Sequence, residues 1–414
     1  MRVLFVSHFF PPEELSAAFL TFEFAKALVD AGHEVDVLTG FPNWPGGKAF
    51  EGYDARRFTR EVMSGINVFR LPFLASPNGN FIQRALDFKS FQLMAWRHGR
   101  RLPRPDLVYV MAPPNEDALV ARRLARHFNC AYVPNIQDVQ PDTAIALGYL
   151  KNPLLIALLR RQEAALYRSA DCVVAIGESM RQRLIDKGIE PRIIKVLPNW
   201  INPGDVVPLP RENPLRTEWN ISTDRFVVLY AGTFGRIHNV PIMLQVAEQL
   251  RDTPALFLLV GQGYDFENVK SAAHNGGLQN VQVRPFVPRR RLSEMQALSD
   301  LSVVLVKRGY GHTSVPSKVL GYMSAGRPVF GAVDADCDTA ATIVAAGCGE
   351  LIEPDNSASL AQRIRVAMDD PTMLAQRGKN ARRFIEDQLS AAVVLRQGVS
   401  LLEEIVAERQ QKRR

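Results

Sequence analysis

Short apolar runs rich in Val, Ile and Leu recur along the chain, separated by stretches whose apolar residues follow a helical period. In the first half the runs span 3–6, 34–39, 67–71, 107–110, 132–136, 172–176 and 194–197. Residues 17–31, 117–128 and 154–168 carry the helical pattern. Strands apolar on both faces and spaced by helices predict parallel βαβ units covered on two sides. Asp30-Ala31-Gly32-His33 ends the first helix with a glycine where a left-handed cap is wanted, so His33 reads as a turn residue.

A second strand–helix series runs through 226–230, 256–260, 281–284, 301–305 and 329–331. Between the two series Pro198, Pro203, Pro208, Pro210 and Pro214 crowd a segment without periodicity, as in an interdomain linker. The expected organisation is an α/β chain of two Rossmann-like, doubly wound parallel-sheet domains facing across a cleft. The first is 1–200, the linker 201–214, the second 215–387, and 388–414 a helical region with a basic tail that braces one domain against the other. Open α/β sheets bind ligands at the C-terminal edges of their strands.

The 414 residues suit two domains, with 47% hydrophobic and 22% charged positions typical of globular chains. The opening MRVLFVSHFF is interrupted at once by Pro11, Pro12, Glu13 and Glu14, so it reads as a buried strand rather than a leader. No apolar run approaches the ~18–20 residues needed to span a bilayer. The four scattered cysteines, with no Cys-x-x-Cys pair, point to a reducing, cytoplasmic setting.

The net charge of +7 is clustered. Arg84, Lys89, Arg97, Arg100, Arg101 and Arg104 form one group, interleaved with Phe81, Ile82, Leu86, Phe88, Phe91, Leu93, Met94 and Trp96. Residues 81–104 therefore read either as a helix lying on an anionic inner-membrane surface or as an amphipathic helix packed on its own domain. Arg409, Lys412, Arg413 and Arg414 form a second group, at its simplest a frayed, solubilising tail.

Three stretches suit phosphate. Ala231-Gly232-Thr233-Phe234-Gly235-Arg236 lies between a strand and a helix expected over 240–250; glycines there let backbone amides approach an anion. Val260-Gly261-Gln262-Gly263 is a second glycine turn after a strand. In Val315-Pro316-Ser317-Lys318, Pro316 opens a helix and Ser317 and Lys318 occupy its first turn. A lysine there opposes the helix dipole unless an anion sits beside it, which makes Lys318 a candidate phosphate ligand.

With these stretches the chain resembles the family 4 retaining glycosyltransferases, which have the GT-B fold, and among them the bacterial aminosugar and colanic-acid type transferases of surface polysaccharide assembly. The likeness runs over nearly the whole length. It includes Val6-Ser7-His8-Phe9-Phe10-Pro11-Pro12-Glu13, Gly32-His33-Glu34-Val35, Phe41-Pro42-Asn43-Trp44-Pro45 and Gly52-Tyr53. It continues through Gln137-Asp138-Val139-Gln140-Pro141-Asp142, Pro198-Asn199-Trp200, Gly232-Thr233-Phe234-Gly235 and Pro316-Ser317-Lys318 to Gly326-Arg327-Pro328.

The resemblance implies transfer of a sugar from a nucleotide diphosphate donor, commonly a UDP-sugar, with retained anomeric configuration and neither metal nor other cofactor. It implies a lipid-linked saccharide acceptor. Departure of the diphosphate is the hard step, so Lys318, Arg236, Gly235 and Thr233 are expected to stabilise it. Phe234, Gly261 and Ser317 line the donor site, and Phe286 and Val287 are placed to meet the base. On the first domain Asp138 is the candidate for the acceptor or transferring sugar, or else a helix cap; His8, Glu14 and Asn43 stand behind it.

Two departures bear on this. Many members carry two glutamates eight positions apart, where this chain has Thr313 and Gly321. Many have an arginine after the first glycine, where it has Thr233, with Arg236 as a substitute.

Asp334-Ala335-Asp336-Cys337-Asp338 contains an Asp-x-Asp pattern but reads as a solvated acidic turn before a helix. No zinc spacing and no nucleic-acid motif is present. Two other functions fit the architecture: a sugar-nucleotide 2-epimerase, and a non-catalytic partner subunit that binds nucleotide sugar.

Overall fold

The computed structural model describes residues 1–76, 81–312 and 317–412. Thr313, Pro316, Arg413 and Arg414 lie outside the described residues. The chain divides into two compact units, Met1–Asn199 with Val394–Arg414, and Trp200–Val393.

The first unit is an eight-stranded sheet of β1 (Arg2–Val6), β2 (Glu34–Gly40), β3 (Thr59–Met63), β4 (Ile66–Leu71), β5 (Leu107–Ala112), β6 (Ala131–Ile136), β7 (Val173–Ala175) and β8 (Ile194–Val196). Their order is β3-β4-β2-β1-β5-β6-β7-β8. Neighbours pair in parallel except β3 with β4. β3 is absent from the apolar pattern because it is an edge strand with mostly exposed side chains. It joins β4 through Ser64 (φ 51°) and Gly65 (φ 83°), the two left-handed residues of a tight hairpin.

The helices of this unit are α1 (Ser16–Asp30), α2 (Phe81–Gly99), α3 (Asn115–Phe128), α4 (Asp142–Ala146), α5 (Pro153–Arg168) and α6 (Glu178–Asp186). Phe5 of β1, Phe24 of α1 and Tyr109 of β5 meet edge-on or tilted, with ring centres 5.0–6.0 Å apart, at the middle of the core.

The second unit has six strands, all parallel: β9 (Phe226–Thr233), β10 (Ala255–Gln262), β11 (Val281–Arg284), β12 (Leu301–Leu305), β13 (Val329–Ala332) and β14 (Gly349–Ile352). Their order is β11-β10-β9-β12-β13-β14. β14 escapes the apolar pattern: it is four residues long and opens on Gly349, where a Cβ would fall 1.6 Å from the Val329 carbonyl. The helices are α7 (Pro214–Glu218), α8 (Ile242–Gln249), α9 (Phe266–Asn275), α10 (Leu292–Ala297), α11 (Lys318–Ser324), α12 (Asp338–Ala346), α13 (Ser357–Met368) and α14 (Pro371–Phe384).

The proline-rich segment 201–214 packs on the second unit. Val206 O accepts from Ser324 Oγ at 2.7 Å, Leu209 O accepts from Arg327 at 2.7 Å, and Ile201 bridges Ser390. The last helix, α15 (Ala391–Gln411), belongs from Val394 onward to the first unit. Its Gly398 leaves room for the Phe24 ring, which would stand 3.0 Å from a Cβ. Its Glu403 meets His33 Nε2 at 2.9 Å, and Arg409 pairs with Asp171. Arg409 is therefore half-buried and docked, not part of a frayed tail.

In both sheets the strand order reverses beside the first strand of the unit, β1 between β2 and β5, and β9 between β10 and β12. The loops leaving these strands are where a doubly wound sheet places its ligands.

Candidate functional site

In the second unit, β9 ends at Gly232-Thr233, and the turn through Gly235 leads into α8. Across the reversal, α11 follows β12 and begins at Lys318. Tyr322, one helical turn on, is buried, and its hydroxyl accepts from Ala231 N (2.7 Å) and donates to Ala231 O (3.1 Å). That double bond fixes α11 against β9. Lys318, four residues earlier on the same face, is thereby held over the end of the strand.

Lys318 Nζ donates to the Tyr230 hydroxyl at 2.9 Å and lies 4.4 Å from that ring's centre. The Tyr230 hydroxyl in turn donates to Thr233 O at 2.7 Å, tying down the turn. A Cβ on Gly232 would sit 2.8 Å from Lys318 Cε, so a side chain there would push the end of the lysine out of this position. Among the described residues Lys318 has no carboxylate partner within ion-pair range. Burial lowers its pKa to about 7.

His238 lies in the same turn. Its amide donates to Gly235 O (2.9 Å) and its Nδ1 meets Leu305 O at 3.1 Å. Burial first, and Lys318 second, lower its pKa to about 3, so the ring is neutral. Thr233 and Arg236 are exposed, and the Arg236 guanidinium stands 4.3 Å from the Tyr264 ring centre. Ser317 is exposed at the start of α11 and makes no side-chain capping bond. Phe286 is exposed just beyond β11, whereas Val287 is half-buried against the core.

Two expected ligands of this unit have structural roles instead. Phe234 is buried edge-on against Tyr230 and Phe266, and its N–H and C=O are bonded to Gln262 O and Asp265 N. Gly261 pairs with Gly232, where a Cβ would fall 1.9 Å from Gly232 O and 2.7 Å from the Phe234 ring. The acidic turn is more than solvated: Asp334 accepts from the amides of Gly309 (2.9 Å) and Gly311 (3.0 Å), anchoring the loop that leaves β12. Cys337, not an aspartate, caps α12.

In the first unit, His8 follows β1 and is buried among Phe9, Phe73, Phe88 and Phe91. Its Nε2 is 3.3 Å from Asp87 of α2, its Nδ1 3.8 Å from Asp117 of α3, and its amide donates to Asp117 at 2.9 Å. Burial alone would lower the imidazole pKa; the carboxylates of Asp117 and Asp87 outweigh it and raise the value to about 9. His8 is therefore a buried cation joining three elements, unlike an acceptor-side ligand.

The carboxylate that organises this edge is Glu13, not the exposed Glu14. Glu13 accepts from the amides of Asn43 (3.0 Å), Trp44 (3.0 Å) and Phe10 (3.4 Å), drawing the loops after β1 and β2 together. Asn43 is buried, its side-chain amide given to Phe41 O at 2.9 Å. Asp138, half-buried, follows β6, and the N-cap position of α4 falls on Pro141 with no side-chain cap.

Sequence reading missed Tyr230, Tyr322, His238, Glu13, Asp87 and Asp117. Asp87 and Asp117 lay inside stretches read only for their helical pattern, Glu13 inside a motif of the resemblance, Tyr322 between Lys318 and Gly326, and Tyr230 and His238 on either side of the glycine turn at 231–236.

The second doubly wound unit thus holds a lysine with no ion-pair partner among the described residues beside a glycine turn, at the edge where such sheets bind ligands. Residues 20–200 match the Glycosyl transferase 4-like domain, and residues 212–384 the Glycosyl transferases group 1 family. The chain is a glycosyltransferase of the GT-B type, assembled from these two domains.

Among its relatives is WcaI of Escherichia coli (strain K12), described as a colanic acid biosynthesis glycosyl transferase; it is 26% identical over 419 residues, covering 97% of this chain and 99% of its own. WbjE of Pseudomonas aeruginosa, described as a glycosyltransferase, is 27% identical over 233 residues, 55% of this chain and 58% of its own. The fold is shared with sucrose-phosphate synthase from Thermosynechococcus elongatus, with a TM-score of 0.75 and 16% identity over 99% of this chain and 100% of that one. It is shared too with Anabaena HepE in complex with UDP and glucose, with a TM-score of 0.72 and 17% identity over 98% of this chain and 100% of that one.

Proposed function

We propose that the protein is a retaining, metal-independent transferase that moves an N-acetylated aminosugar or deoxysugar from a UDP-sugar to a lipid-linked glycan. The product belongs to O-antigen, capsule or exopolysaccharide assembly, on the cytoplasmic face of the inner membrane. The observation that carries this reading is Lys318: a half-buried cation beside a glycine turn, at the strand reversal, with no acidic partner among the described residues. A diphosphate supplies the missing negative charge.

In the transfer the bond from the anomeric carbon to the diphosphate oxygen breaks, and one to the acceptor oxygen forms. Lys318 and the turn amides stabilise the charge left on the diphosphate, aided by Arg236. The acceptor proton passes to a diphosphate oxygen. Asp138 remains the first-domain candidate for a sugar hydroxyl, since His8 is committed to Asp87 and Asp117.

Supporting the sugar-nucleotide donor, HepE was solved with UDP and with UDP-glucose. WcaI's description supports the surface-polysaccharide setting.

Supporting membrane contact, α2 packs inward through Phe91 and Ala95 while Ile82, Leu86 and Leu93 stay exposed among Lys89, Arg97 and Arg100. Leu154 and Leu158 of α5 are exposed as well, and α3 packs against both helices. Among the described residues no helix is long and apolar enough to cross a membrane.

The test is a thermal-shift screen against UDP, GDP, ADP and dTDP, with and without EDTA. A selective, EDTA-insensitive shift with UDP that Lys318→Ala abolishes supports the site. No shift with any diphosphate overturns it.

A further inference from the structure

His238, half-buried, shares the glycine turn beside Lys318 with Arg236, and one of its two ring nitrogens is already committed. Leu305 O can only accept, so the Nδ1 that meets it at 3.1 Å carries the ring proton. With the ring neutral, Nε2 is left as a bare lone pair. Among the described residues no hydrogen bond is made to Nε2, and it is not a sealed, orphaned atom. The ring cannot flip without losing its bond to the end of β12. Cδ2, the carbon bonded to Nε2, would lie 3.7 Å from a Cβ on Gly235, so this side of the ring borders the glycine turn.

A group meant only to anchor the loop needs Nδ1 alone. A carboxylate here would accept equally well but would repel a diphosphate held by Lys318. A neutral imidazole accepts without that repulsion.

We propose that His238 Nε2 accepts a hydrogen bond from a hydroxyl of the sugar-nucleotide donor, on its ribose or its sugar, and so helps set which donor is taken. This rests on the nucleotide-sugar reading of the Lys318 site.

The experiment compares wild type with His238→Asn and His238→Gln by calorimetry. Asparagine keeps a short N–H donor toward Leu305 O and removes the Nε2 acceptor; glutamine keeps an acceptor at the Nε2 distance. The ligands are UDP, 2′-deoxy-UDP, 3′-deoxy-UDP and UDP-N-acetylglucosamine, and melting points report on the fold. Wild type is expected to lose about fivefold to tenfold in affinity when the recognised hydroxyl is missing.

If the hydroxyl is on the ribose, His238→Asn binds UDP and one deoxy analogue equally. If it is on the sugar, the advantage of UDP-N-acetylglucosamine over UDP collapses in that variant. His238→Gln restores part of either difference. Wild-type ratios persisting in His238→Asn overturn this inference alone. Failure of wild type to bind UDP overturns it together with the UDP-donor reading.

Discussion

The ammonium of Lys318 stands 2.9 Å from the hydroxyl of Tyr230 and 4.4 Å from its ring centre, and no acidic side chain among the described residues forms an ion pair with it. The ring and hydroxyl solvate the cation only in part. Replacing Lys318 by methionine removes a desolvated charge, so the unliganded protein is expected to melt no lower than wild type, while the UDP shift disappears. Transfer activity falls by a factor of at least about 100, the scale seen when one preorganised stabilising donor is lost. Melting curves with and without UDP, and an initial-rate assay, check both.

Burial holds the Lys318 pKa at about 7, well below an unfolded lysine. A bound diphosphate favours the charged form, so binding takes up a proton above pH 7. Affinity is expected to fall as pH rises from 7 towards 9, by up to about tenfold per unit. Calorimetry at pH 8 in two buffers of different ionisation enthalpy measures the uptake, which Lys318→Met abolishes.

The pKa shift runs the other way for His8. Its pKa, about 9, lies above the unfolded value of 6.5, so its contribution to stability is complete below pH 6.5 and lost as pH rises through 9. His8→Asn leaves Asp87 and Asp117 buried without their cation and is expected to cost roughly 3–5 kcal/mol. Urea unfolding between pH 6 and 10 checks this: the gap between wild type and variant narrows towards pH 10.

Glu13 and Glu14 separate two roles. Glu13→Gln turns a three-way acceptor into a group with one oxygen, and a loss of about 1–3 kcal/mol is expected. Glu14→Gln, exposed, stays within about 0.5 kcal/mol of wild type. Chemical denaturation of both variants reads the difference.

Exposed apolar residues on α2 can be changed without disturbing the core. Ile82→Ser, Leu86→Ser and Leu93→Ser combined are expected to leave the melting point within a few degrees. Cosedimentation with vesicles containing phosphatidylglycerol is expected to drop severalfold. Unchanged cosedimentation removes the membrane surface from α2.

The sheets were legible because buried parallel strands read as unbroken apolar runs, and every such run became a strand. β3 was not, since an edge strand with polar side chains carries no such run. Lys318 stood out because a lysine in a helix's first turn conflicts with local electrostatics. His8 and Asp117 are 109 residues apart, and no local pattern announces their meeting. Glu13 and Glu14 are the same residue type side by side; which one turns inward depends on the loop after β2, thirty residues on. Glycine at 261 advertised a close approach correctly, but the group approaching it is the neighbouring strand and the Phe234 ring.

The return of α15 to the first unit has a consequence for how the chain is made. Phe24, His33 and Asp171 await Gly398, Glu403 and Arg409, which leave the ribosome some two hundred residues after the first unit's last strand. The second unit is continuous and has all its parts by then. During vectorial synthesis the domain begun first is thus the one finished last, and a ribosome that stops before Val394 releases a complete second unit beside a first one with an open apolar flank.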